Sequence, residues 1–183
     1  GRSISMRVCL KRILATVLCC SLLAGMTSCS SNNDRVVLNA AEGLGIAVTK
    51  RNMSSIEEMS SEDVSDLEDI LSFADASSDD DLRVKEKIAS TLTYTVDQES
   101  LKGSKKGSID IVFSYIDYES ICSDSSNMGS VESFERAADA CGDMNEVTLT
   151  FDFELEDDKV TFSGLDQISD LFNRFSFGIA DFP

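Results

Sequence analysis

The chain contains no histidine, and its 16 Lys and Arg residues face 33 Asp and Glu. Without histidine the usual general base is missing, and so is the commonest side-chain ligand of zinc and non-haem iron. Ser–His and Cys–His nucleophile pairs go with it. The shortage of positive charge leaves a formal net charge of −17 at pH 7. That argues against a nucleic-acid partner, because phosphate recognition needs a basic patch. A long apolar run is also lacking. The uncharged stretch Ile13–Met26 has 14 residues, against roughly 20 for a membrane-spanning helix. Hydrophobic content is nevertheless 42% over 183 residues, enough for one domain with a real core.

Arg2, Arg7, Lys11 and Arg12 are the only charges before Asp34. A basic flank followed by a short apolar run reads as an export signal. Met6 is a plausible start, with Met6–Arg12 as a compact basic segment and residues 1–5 as an upstream extension. The run closes on Leu22-Leu-Ala-Gly-Met-Thr-Ser-Cys29, followed by Ser-Ser-Asn-Asn. This resembles the lipobox of bacterial lipoproteins, with Met26 and Ser28 as variants of its usual residues. The resemblance implies cleavage after residue 28, diacylation of Cys29 and a membrane partner through that lipid. It also implies an exported location on the outer face of the cytoplasmic membrane or in the cell envelope. Ordinary secretion with Cys29 left as a thiol is the plainer alternative. Loss of residues 1–28 removes four basic residues and no acid, leaving 12 against 33, or −21. Such a domain is repelled by anionic headgroups. It is expected to stand off the membrane on a short tether, residues 29–34.

Few cysteines remain after that. Cys9, Cys19 and Cys20 leave with the signal, and Cys29 takes the lipid. Cys122 and Cys141 allow one disulfide connectivity, which an exported compartment permits. Closing that loop contributes about 3 kcal/mol by the chain-entropy estimate. The alternative is two reduced thiols. Two cysteines without histidine make a poor zinc site, and neither a metal nor a cofactor is expected.

Along the mature chain, Val37, Ala41, Leu44 and Val48 repeat at helical spacing after Asp34. Gly43 and Gly45 weaken that helix by about 1 kcal/mol each relative to Ala. Arg51-Asn52 breaks it. Ile56 and Met59 mark a short second helix. Ser61 can cap a third, with Val64, Leu67, Ile70, Leu71 and Phe73 on one face. Residues 54–81 hold eleven acids and no base. Asp75–Asp81 lacks the glycine and ligand spacing of a calcium loop, so a solvated acidic face is expected. Ile88, Leu92, Tyr94 and Val96 then alternate as a strand. Lys102–Gly107 is a turn. Ile109, Ile111, Phe113 and Tyr115 alternate next, in a strand that also carries Val112, Ile116 and Tyr118 on its other face. Ser123–Gly129 reads as a loop, and Val131, Phe134, Ala138 and Cys141 as a short helix stopped by Gly142. Val147–Glu156 is the clearest strand, Val160–Ser163 its partner, and Leu165–Phe175 a last amphipathic segment.

Helices segregated from antiparallel strands mean an α+β fold, with N-terminal helices packed on a curved antiparallel sheet and a short helical insertion. Residues 35–183 form its single domain. The order resembles nuclear transport factor 2-like (cystatin-like) folds of small bacterial lipoproteins. The carriers are the helix from Asp34, the turn Arg51–Ser55 and the hairpins 86–118 and 146–163, over residues 34–175. Ser120–Gly142 departs from that pattern. The resemblance implies a cone with an apolar cavity for a ligand, a dimer partner or catalysis. The absent histidine speaks against the catalytic use. Tyr94, Phe113, Tyr115 and Phe151 are then candidates for pocket or core, with any site opening between sheet and helices. The expected function is a non-enzymatic binding or interaction module of the envelope, with a small molecule or protein as ligand. The alternative is a carboxylate-based hydrolase. Asp152 and Glu154 share one face of a strand about 6–7 Å apart, as two glycosidase carboxylates can. Asp110 and Asp117, seven apart, would face opposite sides.

Overall fold

The computed structural model describes residues 31–176. Helix α1 spans Asn32–Thr49. Ser31 caps it, its Oγ accepting from the Asp34 N–H at 3.2 Å while the Asp34 carboxylate accepts from the Ser31 N–H at 3.0 Å. This reciprocal pair satisfies two backbone donors that a helix start leaves open. It also corrects the expected tether: from Ser31 onward the 29–34 segment is cap and helix. Val37, Ala41, Leu44 and Val48 are fully buried along one stripe. Arg51, with φ of 52°, turns the chain out of the helix. Its guanidinium lies 4.9 Å over the Phe73 ring and donates to the Leu71 carbonyl at 3.1 Å.

The short helices α2 (Met53–Met59) and α3 (Leu67–Leu71) follow. Ser61 does not start α3. Its N–H and hydroxyl both donate to the Phe162 carbonyl, at 2.9 and 3.0 Å, which ties this segment to a strand edge. Ten of the eleven acids in 54–81 are exposed. The exception is Asp81, in the first turn of α4 (Asp79–Ser90). Ser78 caps α4, and Asp79, Asp80 and Asp81 sit where the helix dipole favours negative charge.

Helix α4 overturns the expected strand at Ile88. Residues 88 and 92 are four apart, a spacing that suits both a strand face and a helix stripe. Val84, Ile88 and Ala89 make the stripe buried. Strand β1 starts at Thr93 and runs to Lys102. It is followed by β2 (Lys106–Ile116), β3 (Met144–Glu156) and β4 (Lys159–Ser163). The four form one curved antiparallel meander in the order β1-β2-β3-β4.

Between β2 and β3 stand α5 (Tyr118–Cys122), a 3₁₀ turn at Ser125–Met128 and α6 (Val131–Ala140). The insertion is therefore mostly helical, including the stretch expected as a loop. Asp117 is not a strand residue. It caps α5, its carboxylate accepting from the Ser120 N–H at 3.3 Å. Arg83 fastens α6 to α4 through Glu132 at 3.0 Å and Glu135 at 2.9 Å. Helix α7 (Gln167–Asn173) and a 3₁₀ turn at Arg174–Ser176 close the described chain.

The interior is aromatic. Phe113, Phe134, Phe151, Phe162, Phe172 and Phe175 are all fully buried, each contributing about 2–3 kcal/mol by area removed from water. Of the inward residues expected from sequence, Val37, Leu44, Val48, Leu67, Leu71, Leu92, Phe113, Phe151 and Phe153 are buried, and Tyr94 is half-buried. No helix among the described residues is long and apolar enough to cross a membrane.

Candidate functional site

Of the four expected pocket residues, Tyr94 and Phe113 are register partners on β1 and β2. Phe113 and Phe151 are fully buried in the hydrophobic core. Tyr94 stands against α1. A Cβ built on Gly45 would lie 2.3 Å from the Tyr94 ring, so the absent side chain makes room for the aromatic. Burial pushes the Tyr94 hydroxyl above its ordinary pKa, and a hydrogen bond and charge from Glu42 add to the shift. Tyr115 is 4% exposed and meets Phe175 edge-on at 5.1 Å between ring centroids. It borders an open groove of about 540 Å³ with Tyr118, Asp170 and Arg174. The Tyr118 hydroxyl donates to the Arg174 carbonyl, holding the end of α7 beside the insertion.

Of the carboxylates considered for catalysis, Asp152 and Glu154 share one exposed face of β3. Asp152 and Glu154 lie exposed on the outer face of the sheet, bordering a groove of about 410 Å³ with Ser61 and Ser163. Glu154 is engaged by Lys106 at 2.8 Å, its register partner on β2. Asp110 accepts from the Thr150 hydroxyl at 2.6 Å. Asp117 serves as the α5 cap. No group of three or more His, Cys, Asp or Glu that could hold a metal ion occurs among the described residues.

Cys122 ends α5 and Cys141 caps the end of α6, each half-buried and packed against the core. Both are free thiols, without the bridge that one connectivity allows. Burial, and then the charge of Glu119, pushes the Cys122 thiol pKa up.

Two arrangements depend on the fold beyond any local signal in the sequence. The first is Lys85, 3% exposed, with its ammonium 3.3 Å from both Asp75 and Asp81. The Asp81–Lys85 spacing of four is a helical ion-pair signature, but burial of the lysine is set by the fold. Burial works upward on the Asp81 carboxyl. The Ser77 N–H and Lys85 outweigh it and hold that carboxyl below its ordinary range.

The second is the end of the molecule where α1 begins. The Asn33 side-chain amide donates to Ser104 Oγ at 3.1 Å, across 71 residues of sequence. Ser104 belongs to the β1–β2 turn with Lys102, Lys105 and Lys106. That turn needs its glycines. Gly103 has φ of 83°, and a Cβ on Gly107 would lie 1.7 Å from the Lys102 carbonyl oxygen. The Lys105 carbonyl accepts from the Leu155 N–H at 2.7 Å, which fixes the turn to the end of β3. Asn33, Lys105, Lys106, Glu156, Asp157 and Asp158 border a polar groove of about 660 Å³.

Cys29 lies outside the described residues. No protein-family model, curated protein or solved structure matches the chain.

Proposed function

We propose that the chain is an exported lipoprotein of the bacterial cell envelope, anchored by two acyl chains on Cys29, whose domain works as a binding or interaction module and not as an enzyme. The carrying observation is the order of residues 2–29: four bases, a short uncharged apolar run, small residues, then Cys29. Two acyl chains make a stable anchor where one would be marginal. The domain is a cone of the nuclear transport factor 2-like type, its N-terminal helices closing on the concave side of the sheet. The close approach of α1 to β1 at Gly45 and Tyr94 supports that packing. The aromatic core supports an interaction through the outer surface in preference to an internal ligand cavity.

The hydrolase reading has less behind it. A glycosidase acid needs a carboxyl kept protonated by burial or by a close like charge. Asp152 and Glu154 are both open to water, and Glu154 faces a lysine.

Anchoring is tested by Cys29→Ser in the full chain. The substitution should release the protein from the membrane fraction and abolish incorporation of labelled fatty acid. Unchanged fractionation and labelling would refute it.

A further inference from the structure

The two edges of the sheet are finished differently. At the β4 edge, Ser60 bridges Phe162 in parallel, and Ser61 donates twice to the Phe162 carbonyl. The β1 edge has no such backbone cover among the described residues. Which of its backbone groups point outward follows from the alternation along β2. The Asp110 N–H donates to Ser100 Oγ on β1 at 2.8 Å, and the Ile116 N–H to Thr91 Oγ1, just before β1, at 3.0 Å. On the other side, the Lys105 carbonyl and the Asp117 N–H bond to Leu155 and Asp143, toward β3. Even-numbered residues of β2 therefore face β1, and odd-numbered ones face β3. The β1 partners of the even set, Thr93, Thr95 and Asp97, face β2 in turn. Tyr94 and Val96, between them, direct their N–H and C=O away from the sheet.

Proteins guard such an edge with lysine, proline or a bulge, because unpaired backbone groups recruit another strand. Strand β1 is guarded only in its second half. Its register with β2 shifts between Asp97 and Lys102. There the Glu99 N–H donates to the Asp97 carboxylate at 3.1 Å, and the Ser100 hydroxyl to the Asp97 carbonyl at 2.6 Å. Thr93-Tyr-Thr-Val-Asp97 stays in register, without lysine, proline or bulge and with its one charge at the end. This half is self-complementary. An antiparallel copy centred on Thr95 sets Tyr94 against Val96 twice, Thr95 against Thr95, and Asp97 against Thr93. Aromatic–β-branched and Thr–Thr pairs are favourable across strands, and no like charges meet. Tyr94 and Val96 are also the residues with outward backbone groups, so each such pair exchanges both ladder hydrogen bonds. A copy centred on Asp97 would oppose two carboxylates. Beside this edge, Glu42 of α1 bonds the Tyr94 hydroxyl, and Ile46, one turn later on the same helix face, is 45% exposed.

We propose that β1 is a dimerisation edge: a second copy of this chain pairs with it antiparallel about Thr95 and joins the two four-stranded sheets into one. This goes beyond the reading of the chain as an anchored interaction module and requires neither the anchor nor a ligand. Backbone pairing and the Tyr94–Val96 contacts hold the copies together against the repulsion of two acidic domains.

The test uses the detergent-solubilised full chain, at a salt concentration that screens the two acidic copies from one another. Cys122 and Cys141 are replaced by serine, and one cysteine is placed at Thr95→Cys or at Thr93→Cys; the chain without the added cysteine sets the background. Across the dyad, the two Thr95 positions form a non-hydrogen-bonded pair with Cα atoms about 4.5 Å apart, within disulfide range. The two Thr93 positions, each opposite Asp97, are offset by about 13 Å along the strands. Mild oxidation with copper phenanthroline should give several-fold more disulfide-linked dimer from Thr95→Cys than from Thr93→Cys. Thr95→Glu, on the exposed face of β1, sets like charges directly opposite in the dimer. It should leave the circular dichroism unchanged and convert the parent's dimer to monomer in sedimentation. Equal cross-linking at 93 and 95 overturns the pairing. So does a parent that sediments as a monomer, or a dimer that survives Thr95→Glu. A cross-link from Thr95→Cys to a different protein, in place of the dimer, overturns the second copy as occupant.

Discussion

Alanine at Gly43 should stabilise the domain and alanine at Gly45 should not, although the two lie two residues apart in the same helix. Both positions are interior to α1, so each substitution gains about 1 kcal/mol of intrinsic helix propensity. At Gly43 the new Cβ meets the Met59 sulfur at 3.7 Å, an ordinary contact. The gain is kept. At Gly45 the Cβ would lie 2.3, 2.6 and 2.7 Å from three atoms of the Tyr94 ring, one of them Cγ at the ring base. Rotating the ring about its own axis does not move Cγ. Relief needs a different χ1 or a shift of α1 away from β1, and either disturbs the hydrogen bond to Glu42. Overpacking of this kind costs about 1–3 kcal/mol. The propensity term is common to both variants and cancels in their difference. Gly45→Ala should therefore be less stable than Gly43→Ala by about 1–3 kcal/mol, read by urea denaturation of the mature chain with far-ultraviolet circular dichroism. Adding Tyr94→Ala to Gly45→Ala removes the clash, so the double-mutant cycle should show coupling of similar size. Equal stability of the two glycine variants, or additive effects in the cycle, would refute the close approach of α1 to β1.

Removing the buried ammonium by Lys85→Ala should destabilise the domain by about 1–3 kcal/mol, below the roughly 3–5 kcal/mol of a fully buried broken pair because Asp75 is open to solvent; a change near zero in urea denaturation would show that the Asp75–Lys85–Asp81 group is not a fixed element. The Asp81 carboxyl has a folded pKa below its unfolded value, so its contribution is complete above an unfolded pKa of about 3.9 and is lost as pH falls through the folded value. Asp81→Asn should therefore flatten the loss of stability at acid pH, and an acid limb as steep as the parent's would contradict this. Cys122, with its thiol pKa raised, should alkylate more slowly at pH 8 than an unstructured cysteine peptide, followed by mass spectrometry. A rate equal to that peptide's, or complete protection lifted only by a reductant, would count against a free half-buried thiol. Asp152→Asn with Glu154→Gln should change stability by less than about 0.5 kcal/mol, as expected of an exposed acid and an exposed ion pair, and a larger loss in the same urea assay would assign these side chains a structural part.

The sheet was legible because its strands obey a period of two with little ambiguity. Phe151, Phe153 and Leu155 alternate with Asp152, Glu154 and Glu156, and burial follows that alternation through β3. The helix stripe of α1 was legible for the same reason at its own period. The errors came where two periods coincide or where a cap competes with a strand. Ile88 and Leu92 satisfied both spacings, and only the Ser78 cap with its acidic first turn separates helix from strand there. Ser61 has the chemistry of an N-cap, but its donors go to Phe162 from 101 residues away. Glycine was misread as a cost alone, since the partner that makes Gly45 necessary, Tyr94, is 49 residues downstream. The pocket residues were identified by type and not by enclosure. Whether Phe113 walls a cavity or fills a core is decided by residues of other elements, and nothing local to β2 specifies its complete burial. The pole formed by Asn33 and Ser104 is non-local in the same way.

The central claim is anchorage through Cys29, and the mass of the N-terminal peptide of the mature protein tests it most directly. The account predicts that this peptide begins at Cys29 and carries two acyl chains linked through the cysteine sulfur, as a diacylglyceryl group. A mature chain whose N-terminal peptide begins at Cys29 with an unmodified thiol, or which retains the Arg2–Ser28 segment, would contradict it.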